Sequence, residues 1–142
     1  MADADGQSRT FRATPDDISA ADAWIEEVGR HWGIPERTTF RARICVAEIA
    51  ANVLEHGASS ATSAEFGVTL RRRGEGLDLE ITDSGRPFDP TAAHESEPPG
   101  TIEDAQIGGL GLHLVRSYAE DISYRYDGVR NRLRMHLPAA VS

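Results

Sequence analysis

A single cysteine, Cys45, leaves this chain of 142 residues without any internal disulfide. It sits in an apolar run, where a buried structural thiol is the plain reading. Long apolar stretches are also missing. No run is long enough to span a membrane, and no leader pattern opens the chain. The default compartment is therefore the cytoplasm, with no membrane partner. Basic charge is scarce as well: 15 Lys and Arg stand against 23 Asp and Glu, for a net charge of -8. Nucleic-acid binding needs a basic surface, so this balance argues against it and fits a basic protein partner better. Histidine is no metal signal either. His31, His56, His94, His113 and His136 show no metal-ligand spacing with one another or with Cys45. His56, about two turns after Glu48, either lines a site there or caps the end of its helix.

What is present suits one globular domain, with 39% hydrophobic residues. Residues 1 to 8 are small and polar and predict a disordered terminus, with the domain running from 9 to 142. Phe11 lies in a short strand pattern at about 9 to 13. Thr14-Pro15-Asp16-Asp17 is a helix start, with Thr14 as cap and Pro15 in the first turn. Ile18, Ala21, Trp24, Ile25 and Val28 give that helix an apolar stripe, and Gly33-Ile34-Pro35 ends it. A longer helix is predicted from about 36 to 56, with Gly57 as its stop. From 62 to 83 the period changes to two: Phe66, Val68 and Leu70, then Leu77, Leu79 and Ile81. The stretch Arg71 to Gly76 between them is a hairpin turn, its three arginines a solvated strand end rather than a phosphate patch.

Residues 86 to 107 form a long irregular stretch with four prolines. A loop of that length is either a lid or an insertion without structure. A third helix pattern follows Gly111, and two strands follow that, Ile122 to Tyr126 and Leu133 to Leu137, turning at Asp127-Gly128. The order β-α-α-β-β-loop-α-β-β predicts an α+β fold. It is a two-layer α/β sandwich, a mixed, largely antiparallel sheet covered on one face by helices.

Three stretches carry chemistry. Glu48 and Asn52 lie four residues apart in the second helix and share one face. Mg2+ takes few protein ligands, usually oxygens beside substrate phosphates, so the Asn52 amide oxygen suffices for it. Glu48 can take a proton from an attacking hydroxyl. On the helix alone the pair is equally a chance Glu and Asn on a half-exposed face. Asp83-Ser84-Gly85 ends a strand. An aspartate there accepts from an exocyclic amine such as that of adenine, and Gly85 leaves room for a flat base. The same tripeptide is also an ordinary turn. Gly108-Gly109-Leu110-Gly111 opens the third helix. Its exposed N–H groups and helix dipole favour an anion, and a flexible hinge is the alternative. It is no P-loop, because no Gly-Lys-Ser/Thr follows, and no dinucleotide fingerprint, because no strand directly precedes it.

In order and spacing these stretches resemble the GHKL ATP-binding superfamily, which includes gyrase, histidine kinases and MutL. Within it the chain looks most like the small anti-sigma factor serine/threonine kinases. Glu48 and Asn52 match the Glu-x-x-x-Asn box, Asp83 and Gly85 the first glycine box, and Gly108, Gly109 and Gly111 the second. Asn131-Arg132-Leu133-Arg134-Met135 resembles the closing strand. The resemblance spans about residues 10 to 138. It implies ATP and Mg2+ as cofactors, with Glu48 as general base and Asn52 as metal ligand. Asp83 would hold the adenine amine, and the second-box glycines would hold phosphates under a lid at 89 to 107. Pro87 departs from the fullest pattern, where many members carry a second glycine. The implied function is a kinase that sequesters a sigma factor and phosphorylates a small antagonist protein. The alternative is a nucleotide-dependent interaction module without phosphoryl transfer. A histidine-kinase reading would need a further helical domain bearing the acceptor histidine. A homodimer is also expected, from the resemblance and from Phe11, Trp24 and Ile25, which a small core would leave partly uncovered.

Overall fold

In the computed structural model of the chain, residues 6–57, 64–85 and 119–139 are described. Two helices and five strands run in the order β1 (Gly6–Arg12), α1 (Pro15–Trp32), α2 (Glu36–Gly57), β2 (Glu65–Arg73), β3 (Gly76–Asp83), β4 (Glu120–Tyr126) and β5 (Asn131–Leu137). Every pairing among these strands is antiparallel, in the spatial order β1-β2-β3-β5-β4. The third helix pattern and the lid at 89 to 107 lie outside the described residues.

The starts and stops of α1 follow their local chemistry. The Thr14 hydroxyl accepts from the Asp17 N–H at 3.1 Å, and Asp17 in turn accepts from the Arg12 N–H at 2.8 Å. Gly33 takes the left-handed conformation at φ 72° that closes the helix. Arg72 then donates to the Trp32 carbonyl at 2.9 Å, so one of the three arginines serves the helix end. Arg73 pairs with Asp78 at 3.2 Å. The hairpin is tighter than the sequence predicts: β2 continues through Arg73 and only Gly74 and Glu75 turn, with Gly74 at φ 63°.

The period-two residues all face the helices. Phe66, Val68 and Leu70 on β2, Leu77, Leu79 and Ile81 on β3, and Leu133, Met135 and Leu137 on β5 are buried. Against them pack Ala42, Cys45, Val46, Ile49, Ala50 and Val53 of α2, and Ala21, Ile25 and Val28 of α1. The opposite face is polar. There His136 lies 2.8 Å from its cross-strand partner Asp78, and Arg134 lies 3.5 Å from its partner Glu80.

The helices are clamped together. Arg43 of α2 donates from Nε and a terminal nitrogen to both carboxylate oxygens of Asp22 on α1, at 3.0 and 2.9 Å. That bond, more than the charges of Asp22, Glu26 and Glu36, raises the Arg43 pKa.

Two expectations need correction. The first strand begins at Gly6, three residues before the predicted start. Gly6, Gln7 and Ser8 pair with Arg71, Leu70 and Thr69, so ladder hydrogen bonds order residues whose composition suggests none. Phe11 and Ile25 are not left uncovered for a second copy. Phe11 stacks on Phe66 with centroids 5.5 Å apart and meets Trp24 at 5.8 Å, and Ile25 is fully buried. The exposed large apolar groups among the described residues are Phe40, Leu54, Tyr126 and Val129.

Candidate nucleotide site

Helix α2 presents Glu48 and Asn52 at the margin of its buried stripe. Cys45, Ile49 and Val53 point into the core, while Glu48 and Asn52 are half-buried. One oxygen of Glu48, Oε1, is buried and has no hydrogen-bond partner among the described residues. A buried polar atom without a partner costs on the order of 1–3 kcal/mol, more when charged. A carboxylate kept in that state fits a group whose partner arrives with a ligand. Its neighbour one turn earlier is chemically quiet. Burial, and after it the Glu48 charge, push the Cys45 thiol up to about 12.

The second part lies at the end of β3. The Gly85 N–H donates to Asp83 Oδ1 at 2.9 Å, closing a side-chain turn. A Cβ at Gly85 would fall 3.1 Å from that same oxygen, tighter than ordinary contact, so the turn favours glycine there. The Asn131 amide also donates to Asp83 Oδ1, at 3.0 Å, and to the Gly85 carbonyl at 3.4 Å. The Tyr124 hydroxyl donates to Asn131 Oδ1. Among the described residues nothing donates to Asp83 Oδ2.

Helix α2 packs on β2, β3 and β5, which places both parts on the helix-covered side of one sheet. Gly108, Gly109, Gly111 and Pro87 lie outside the described residues. So do His94 and His113. Asn131 and Tyr124 complete the Asp83 turn, and sequence reading did not single them out as site residues. The available signal was register: Asn131 heads a strand whose alternation puts it directly opposite Asp83.

The residues present fit Mg2+ with a nucleotide. The described residues hold no group of three His, Cys, Asp or Glu that would cage a metal by themselves. Mg2+ needs no such cage when phosphates and water supply most of its oxygens. Glu48 Oε1 offers an unused acceptor beside Asn52, and Asp83 offers another to a base. No helix among the described residues is long and apolar enough to cross a membrane.

The chain is also similar in sequence to known proteins. The profile of the histidine kinase-like ATPase domain matches residues 11–137. The serine/threonine-protein kinase BtrW of Bordetella bronchiseptica is 33% identical over 113 residues, covering 78% of this chain and 80% of that protein. The serine-protein kinase RsbW of Listeria innocua is 27% identical over 119 residues, covering 81% and 76%. The RsbW of Halalkalibacterium halodurans is 29% identical over 89 residues, covering 60% and 54%.

Proposed function

The chain belongs to the histidine kinase-like ATPase domain family, and from that premise we propose that it is an ATP-dependent protein serine/threonine kinase of the anti-sigma type. It sequesters a sigma factor and phosphorylates a small antagonist protein, working as one domain that includes β1 from Gly6. The observation that carries the reading is the buried oxygen of Glu48, without a partner among the described residues, one helical turn from Asn52. The names of the related kinases point the same way.

In this reading Asp83 accepts from the exocyclic amine of adenine, and Gly85 keeps the approach to the base open. Gly108, Gly109 and Gly111 hold the phosphates. Asn52 holds Mg2+, which when bound offsets phosphate charge and orients the terminal group. The substrate hydroxyl attacks the γ-phosphorus, the bond to the β-phosphate oxygen breaks, and ADP leaves. Glu48 takes the hydroxyl proton. Such a base, positioned in a partly dry site, is worth about 10²- to 10⁴-fold in rate.

The test is incubation of the purified chain with Mg-ATP and a candidate antagonist, with phosphoserine or phosphothreonine read by mass. Transfer that Glu48→Gln abolishes supports the kinase. Full regulation of the partner by Glu48→Gln would replace the kinase with an interaction module that uses nucleotide without transfer.

A further inference from the structure

The carboxylate of Asp83 is held by a hydrogen-bond chain with a defined direction. Asp83 and Asn131 are cross-strand partners at the end of the β3–β5 ladder, and Asn131 is buried. A carboxylate only accepts, so the amide must turn its NH2 edge to Asp83, as the 3.0 Å contact to Oδ1 requires. That leaves Asn131 Oδ1 facing Tyr124, whose hydroxyl therefore donates. Tyr124 comes from β4, on the far side of β5, and its ring packs against the core. The direction Tyr124 to Asn131 to Asp83 is thus fixed by chemistry as well as by distance.

Its consequence falls on the two oxygens of Asp83. Oδ1 takes donors from Asn131 and from the Gly85 N–H at 2.9 Å. Oδ2 takes none among the described residues and is left as the single open acceptor. The Gly85 carbonyl is tied to the same amide at 3.4 Å, which links the turn to the carboxylate.

We infer that Asn131, aligned by Tyr124, is a positioning residue that presents Asp83 as a fixed acceptor. In that role it makes the site select a base with an exocyclic amine over one with a carbonyl at the same place. This deepens the function proposed above and rests on Asp83 meeting the base. Asn131 acts through the carboxylate it donates to. Its loss therefore leaves phosphate and metal contacts in place and removes discrimination between bases.

The test is calorimetry with Mg-ATP and Mg-ITP, whose hypoxanthine carries a carbonyl where adenine carries its amine. The proteins are the wild-type chain, Tyr124→Phe and Asn131→Leu. Wild type prefers ATP. Asn131→Leu lowers the ATP-to-ITP affinity ratio by about tenfold, the scale of one hydrogen bond to a charged group. Tyr124→Phe lowers it less, because the amide remains but is no longer held in one orientation. It removes one oxygen at constant ring packing, so it decides the matter if Asn131→Leu does not fold. An unchanged ratio in the variants, or parallel weakening of both nucleotides, would overturn the inference and leave a purely structural pair. A wild-type chain that binds ATP and ITP equally would also overturn it. A wild-type chain that binds neither would overturn the proposed function itself, a separate outcome read on the unmodified protein.

Discussion

Asp83 and Asn131 end the β3–β5 ladder as direct partners, and the amide of one donates to the carboxylate of the other over 3.0 Å. The pair ties the candidate adenine contact to the rigid centre of the sheet. A site built on paired strands holds its geometry better than one on a free loop. Helix α2, packed on the same strands, brings Glu48 and Asn52 to the helix-covered side of that sheet.

Replacing Glu48 by Gln is expected to leave nucleotide affinity within about threefold and to cut phosphoryl transfer by about 10²- to 10⁴-fold. The side chains are nearly isosteric, but the amide cannot take the proton. Fold stability is expected to hold or rise, because Oε1 of Glu48 is buried without a partner among the described residues. Calorimetry, a phosphorylation time course and a thermal melt check the three parts.

Asn52→Ala is expected to weaken nucleotide binding in Mg2+ by about tenfold or more, and far less in a chelator. The metal contact is the one removed. Equal losses in both conditions would assign Asn52 to packing instead. The comparison needs only two titrations of each protein.

Gly29 and Thr39 fix how closely α1 approaches α2. A Cβ at Gly29 would fall 2.4 Å from Thr39 Oγ1 and 2.9 Å from its methyl group. Thr39 is buried, and its hydroxyl donates to the Pro35 carbonyl at 3.4 Å, so it has little room to yield. Gly29→Ala is expected to destabilise by about 1–3 kcal/mol despite the better helix propensity of alanine. Adding Thr39→Ala should recover part of that loss, giving a non-additive cycle in chemical denaturation.

Asp127 makes stability depend on acid. The N–H groups of Arg130 and Val129, and then the Arg132 guanidinium, hold its carboxyl well below the usual aspartate range. A pKa lowered in the folded state adds stability above the unfolded value, about 3.9, and loses it as pH falls towards the folded value. Asp127→Asn should therefore be less stable than wild type at neutral pH, with the gap closing below about pH 4. Denaturant midpoints at several pH values read this directly. A gap that widens in acid would contradict it.

Much of this was legible in the sequence because local chemistry and burial agree. Thr14 caps and Gly33 terminates a helix whose apolar stripe faces inward, and Phe66, Val68 and Leu70 alternate into one core. The first strand was read short, because Gly6, Gln7 and Ser8 owe their order to partners in β2 about sixty residues away. Phe11 and Ile25 looked spare for the same reason: Phe66, which covers Phe11, is distant in sequence. Of the candidate site, Glu48, Asn52, Asp83 and Gly85 are visible in the sequence as residue types at set spacing. The contact of Asn131 with Asp83 is not, since it arises only through cross-strand register, with a tyrosine on a third strand behind it.

The measurement that bears most directly on the account is calorimetry of the purified chain with Mg-ATP, beside Asp83→Asn. The account predicts one nucleotide per chain with micromolar affinity, about -8 kcal/mol. Asp83→Asn should bind clearly more weakly, because its amide can turn a donor towards the adenine amine. No heat and no thermal shift at millimolar nucleotide, or equal binding by both proteins, would contradict it.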